Sequence, residues 1–100
     1  MILPSVIVFI NEKKREEFLR LQHGSSEERA LYELINKKID LLTNDASIGK
    51  QIAKRLIPKE YRNFFNLWKV NLNKKLRLIY SINADENGRL TVIIDWLDHK

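Results

Sequence analysis

The chain has 100 residues, 44% of them apolar and 31% charged, with a formal net charge of +5 and no cysteine. That length fits one domain, spanning residues 1–100, with one packed core. The absent cysteines exclude a disulfide framework, a thiolate nucleophile and any Cys-based zinc or iron–sulfur centre. No segment approaches the roughly 18 continuous apolar residues of a membrane span, and Met1–Ile10 lacks the basic region and small-residue cleavage site of a secretory signal. A soluble, cytoplasmic protein is expected.

Charge is segregated along the sequence. Lys50, Lys54, Arg55, Lys59, Arg62, Lys69, Lys74, Lys75 and Arg77 lie in a span with one acid, Glu60; nine positive against one negative is +8, which leaves −3 elsewhere. A surface that only needs to be soluble does not require this separation, and it points to an acidic partner.

In chain order, Ser5–Ile10 after Pro4 is a short β-branched run and predicts a first strand. Asn11 is placed to cap a helix carrying Glu12 in its first turn and Phe18 and Leu21 inward, stopped at His23-Gly24. Ser25 with Glu28 forms a capping box, and Leu31, Leu34, Ile35, Ile39 and Leu42 recur at helical spacing to about Thr43, so a helical hairpin is expected. Thr43-Asn44-Asp45 breaks the pattern. Ser47–Leu56 predicts a further helical stretch with Ile48, Ile52 and Leu56 inward, ended by Pro58. From Phe65 onward the apolar period falls to about two. Three strand-like runs follow, with a hairpin turn over Asn83–Arg89 that contains Asn87-Gly88. No repeat period is present. The order is an α+β one: β-α-α-(short helix)-β-β-β, with an antiparallel C-terminal meander packed on a helical hairpin.

Cations interrupt the apolar strands at Lys69, Arg77, His99 and Lys100, and a cation in a sheet is costly unless it faces water or an anion. Arg77 is planar and permanently charged, which suits bidentate contact with phosphate. Lys69 shares a strand face with Leu67 and Asn71. His99 is the residue of this region that exchanges a proton near neutrality without a large shift.

The element order, the Gly49–Lys59 stretch, Leu67-Trp68-Lys69-Val70, Leu76-Arg77-Leu78-Ile79-Tyr80 and the closing Asp98-His99-Lys100 together resemble the RelE/ParE superfamily of toxins from type II toxin–antitoxin systems. The RelE-type messenger-RNA interferases are the nearest branch. The resemblance implies a RelE-like domain and a metal-independent, cofactor-free endoribonuclease that inhibits translation by cutting mRNA on the ribosome. It also implies an acidic antitoxin as natural partner. The reaction drives a 2′-hydroxyl onto the adjacent phosphate, and needs a base, positive charge for the phosphorane and an acid for the leaving 5′-oxygen. By position, Lys69, Arg77 and His99 are the expected catalytic residues, and Lys50, Lys54, Arg55, Lys74, Lys75 and Lys100 the expected RNA-binding ones. Asn71 stands where the family often has a second lysine. The family commonly carries an aromatic or acidic side chain a few residues past the His-Lys position, and Tyr80 or Tyr61 is the candidate to take its place here.

Plainer readings stand beside these. Lys69 and Arg77 could be solvent-facing residues of a half-exposed sheet, and Lys50–Lys59 the wet side of a helix. His99 could be an exposed polar residue, and His23 part of a helix stop; two histidines so far apart do not suggest a metal site. Trp68 and Trp96 could stack on bases, but large aromatics in apolar strands favour the core. Two other functions remain open: a catalytically impaired RNA- or antitoxin-binding protein of this fold, and a ParE-type gyrase inhibitor.

Overall fold

The computed structural model describes residues 4–57, 59–61, 64, 66–85 and 88–98. Val6–Phe9 form β1, Glu12–Leu21 α1, Ser26–Asn44 α2, Lys50–Gln51 β2, Trp68–Asn71 β3, Leu76–Asp85 β4 and Gly88–Asp98 β5. The strands make one mixed sheet in the order β1-β5-β4-β3-β2. Only β1 and β5 run parallel; the other neighbours are antiparallel. The α+β class and the meander are as expected.

Both helices begin as their sequences dictate. The Asn11 side chain accepts a hydrogen bond from the Lys14 N–H at 2.8 Å. At α2 the Glu28 N–H donates to Ser25 Oγ while the Ser25 N–H donates to Glu28 Oε1, a complete capping box. α1 ends at Leu21 through successive short turns, with the N–H groups of Gln22, His23 and Gly24 donating to Leu19, Arg20 and Leu21. His23 is exposed.

The helical pair buries its apolar stripes on one sheet face. Phe18, Ile35, Leu42, Leu72, Leu78, Tyr80 and Ile93 form that core, with Trp68 and Trp96 packed against it. The core reading of both tryptophans therefore holds. Ser5 fastens the start of β1 to the end of α2: its N–H donates to Thr43 O, and its hydroxyl bonds Leu42 O and lies 2.7 Å from the Thr91 hydroxyl.

The opposite face carries a smaller core of Ile57, Leu67, Ile79 and Ile94, joined by Ile52, Tyr61, Phe64 and Val92. It is roofed by the segment between β2 and β3, whose basic side chains Lys54, Arg55 and Lys59 point outward. At the start of β3 the Asn66 amide both donates to Ile82 O and accepts from the Ile82 N–H, each at 2.8 Å, imitating one more strand pair beside β4.

The expected helix over Ser47–Leu56 does not form. Ala46–Ile48 and Lys54–Leu56 are single 3-10 turns around the two-residue strand β2, and Ile48 and Leu56 are 41% and 65% exposed instead of inward. Tertiary contacts override the helical spacing. The Tyr80 hydroxyl donates to Ala46 O at 2.9 Å and accepts from the Gly49 N–H at 3.1 Å, while the Ile52 N–H bonds Leu67 O at 2.7 Å. Gly49 passes so close that a β-carbon there would collide with Lys69 O and the Tyr80 hydroxyl. The β4–β5 hairpin is tighter than expected, pairing through Asp85 and Gly88, where Gly88 takes φ 131°. Pro58, Arg62, Phe65 and Asn87 lie outside the described residues. Among the described residues no helix is long and apolar enough to cross a membrane.

Tyr80 is fully buried, and that burial pushes its phenol up to about 12 although the Gly49 N–H pulls the other way. Tyr80→Phe should leave the Ala46 carbonyl and Gly49 N–H without their partner and cost about 1–3 kcal/mol in urea unfolding. Gly49→Ala should cost about 1–3 kcal/mol by overpacking, with loss of amide protection at Lys50 and Gln51 as its local signature.

Candidate functional site

Strand register decides which side chains share the face opposite the helices. Lys50 lies directly across from Lys69, Lys69 from Ile79, and Ile79 from Asp95; one step along, Asn71 faces Arg77 and Arg77 faces Leu97. Because side chains alternate along a strand, Lys50, Lys69, Asn71 and Arg77 project together. Arg77 is the diagonal neighbour of Lys69, a relation that separates residues by about 7–8 Å and lets long side chains meet. Leu67, which shares this face, is fully buried under the roofing segment, so the face is covered at the Leu67 end and open at the Asn71 end.

The turn between β3 and β4 extends the open end. Asn73 Oδ1 accepts from the N–H groups of both Lys75 and Leu76 at 2.8 Å, and this turn leaves Lys74 and Lys75 exposed beside Asn71 and Arg77. Lys54 and Arg55 are exposed on the roof. Thus Lys50, Lys69 and Arg77 are brought onto one face, Lys74 and Lys75 border it, and Lys54 and Arg55 lie on its covered side. His99 and Lys100 lie outside the described residues.

Like charges directly opposed across an antiparallel pair are unfavourable. Among the described residues the ion pairs join Lys14 to Glu17 and Asp95 and Arg15 to Glu12; none involves Lys50 or Lys69. Asp95, in the same row, is already engaged. Its Oδ1 accepts from Lys14 Nζ at 3.0 Å and from the Trp96 N–H at 2.9 Å, while Lys14 Nζ also sits 5.0 Å from the centre of the Trp96 ring. Burial opposes the charge on Lys14, but the hydrogen bonds it donates to the Glu17 and Asp95 carboxylates outweigh it and hold the ammonium pKa above 10.5.

The two tyrosines separate cleanly. Tyr80 belongs to the helix-side core and its hydroxyl is consumed by Ala46 and Gly49, so it cannot stand in at the site. Tyr61 packs on the cationic face, its hydroxyl 3.5 Å from Asp95 Oδ2. Burial and then the Asp95 charge raise its pKa, so at neutral pH it is a phenol that can only give a proton. Sequence reading missed Lys38. This α2 residue lines a shallow pocket of ≈ 350 Å³ with Ile48, Lys50, Lys69, Val70 and Asn71 at the β2–β3 edge. Its signal was a lysine at the spacing of Ile35 and Leu42, where the apolar stripe should continue. Among the described residues no group of three His, Asp or Glu side chains is placed to hold a metal ion.

Lys50→Glu should replace repulsion with attraction across β2–β3 and raise stability by about 0.2–1 kcal/mol, read by urea unfolding. Lys69→Ala should change stability by less than about 0.5 kcal/mol. Asp95→Asn should cost about 1 kcal/mol at pH 7. Because Lys14 has a raised pKa, its contribution is complete below 10.5 and fades as pH rises through the folded value, so the gap between wild type and Asp95→Asn should close above that pH. No protein-family model, curated protein or solved structure matches this chain.

Proposed function

We propose that the chain is a RelE-type toxin of a type II toxin–antitoxin system: a cytoplasmic, metal-independent endoribonuclease that cuts mRNA on the ribosome and stops translation. The observation that carries this reading is Lys50 facing Lys69 across β2–β3, neither of them ion-paired among the described residues, with Arg77 diagonal to Lys69 on the same open face. Such an arrangement is unfavourable without an anion and becomes favourable with one.

In this reading Arg77 grips the scissile phosphate through its planar guanidinium, and Lys69 and Lys50 neutralise the charge that gathers on the phosphorane. The 2′-hydroxyl attacks that phosphorus, its proton passes to a base, and the departing 5′-oxygen receives a proton from an acid, leaving a 2′,3′-cyclic phosphate. His99 takes a proton-transfer role as an imidazole, and Tyr61, on the face that carries Lys69, is a further proton donor. Lys74, Lys75, Lys54, Arg55 and Lys100 hold flanking phosphates. The acidic antitoxin would neutralise this face. The outer edge of β1, where Val6 is 62% and Val8 37% exposed, offers it an apolar contact as well.

Purified protein added to translating ribosomes should cut mRNA at codon-positioned sites, and Arg77→Ala should slow cutting by about 10²-fold or more. RNA binding without cuts by the wild type would leave a binding protein only. Inhibition of gyrase supercoiling without cuts would move the chain to the ParE branch.

A further inference from the structure

We propose that the open edge of β3 is a second nucleotide subsite, in which Lys38 of α2 and Lys50 hold the phosphate next to the scissile one and Ile48 and Val70 take its sugar and base. The inference rests on the RNA-cutting reading above and names how the substrate leaves the face where it is cut.

The pocket straddles the sheet edge. Lys69 and Asn71 belong to the cationic face, whereas Val70 alternates to the helix side and packs in the helix-side core, and Lys38 arrives from α2 on that side. Lys38 is half-buried, at the inward spacing of Ile35 and Leu42, so its stem runs along apolar surface and its ammonium emerges at the edge. Three lysines from three elements thus line one cavity, and among the described residues no acid lines it.

The backbone adds a donor. Leu67 O accepts from the Ile52 N–H, which fixes the parity of β3: the backbone groups of residues 67, 69 and 71 point toward the β2 side. β2 pairs with β3 at Gln51–Trp68 and Lys50–Lys69 and goes no further toward residue 71, so the Asn71 N–H points past its end into the open edge. An N–H beside lysine ammoniums is a phosphate ligand set. Ile48, 41% exposed, and Val70 add apolar lining to the pocket, which suits a ribose or base face.

An acidic peptide would use the edge differently, by adding a strand. That requires a run of outward-facing backbone groups, and β3 leaves one such residue, Asn71, beyond the end of β2. A pocket of ≈ 350 Å³ lies within the range of roughly 300–1,000 Å³ typical of small-ligand sites, so a nucleotide fits where a strand cannot extend.

The test uses the full chain and a short RNA blocked by 2′-O-methyl groups. Fluorescence anisotropy across a salt series should find Lys38→Ala weaker by about three- to tenfold, with the slope of log affinity against log salt reduced by about 0.7, the share of one single-stranded phosphate. Ile48→Asp, at an exposed position, should weaken binding similarly. The amides of Gly49, Val70 and Asn71 should shift on RNA addition in NMR spectra, and on ribosomes the Lys38→Ala loss should fall on KM rather than kcat. Unchanged affinity and slope in Lys38→Ala, or silent pocket amides under saturating RNA, overturns the subsite. Equal shifts with poly-glutamate overturn it in favour of an acidic protein. A wild type that binds RNA through these amides but never cuts keeps the subsite and removes the nuclease; one that cuts with Lys38 irrelevant does the reverse.

Discussion

The hydroxyl of Tyr80 is the point on which the arrangement turns. It reaches from the middle of β4 to the chain just after α2, giving its proton to Ala46 and taking one from the Gly49 N–H. A two-residue strand has too little pairing to hold itself. With this anchor, and with Gly49 pressed against the Lys69 carbonyl, β2 is held against β3 and Lys50 is set opposite Lys69. The cationic pair on one face is thus fixed by a phenol buried on the other.

Each face has its own core, and the difference between them leaves one end of the sheet open. On the helix side the apolar stripe of α2 and the aromatic run Phe9, Phe18 and Tyr32, with ring centres 5.3 and 4.7 Å apart, seal the sheet. On the other side the roof is made of short turns and a few anchors, of which Tyr61 comes nearest to Asp95. The register shift between Ile79 and Tyr80 makes Ile94 the extra residue of β5, so Ile93 serves the helix-side core while Ile94 and its neighbour Asp95 share the opposite face. Asp95, one residue on, is bound by Lys14 of α1 from one direction and approached by Tyr61 from the other. Asp95, the acid of that row among the described residues, is thereby spent on joining layers and makes no ion pair with Lys50 or Lys69.

Much of the fold was legible because its local signals agreed with one another. Asn11, the Ser25–Glu28 box and the period-two runs from Trp68 onward each specify their element by chemistry that acts within a few residues. Residues 47–56 failed for the opposite reason. Ile48, Ile52 and Leu56 have helical spacing, but Tyr80 and Leu67, distant in sequence, offer the backbone better partners than a helix would. The site was half legible. Lys69 and Arg77 stand out as cations within apolar strands, and alternation alone puts Lys69 and Asn71 on one face. That Lys50 faces Lys69 depends on a strand the sequence did not announce, and Lys38 was hidden in a helix whose other inward residues are ordinary core. His99 and Lys100 remain sequence assignments.

The opposed lysines also fit a general economy of binding sites. Repulsion across one strand pair costs the free protein about 0.2–1 kcal/mol, a small part of a typical domain stability of about 5–15 kcal/mol. In return the cations are held in place before an anion arrives, so little rearrangement is needed to meet one. An acid at either position would recover the lost stability and remove the attraction for an anion. Exposure at the open end allows the lysines to remain charged and hydrated while free. The buried Tyr80 anchor, rather than a pairing carboxylate, keeps β2 from moving away, so the sheet edge is held by a neutral hydrogen-bond pair and its charge stays available to a ligand.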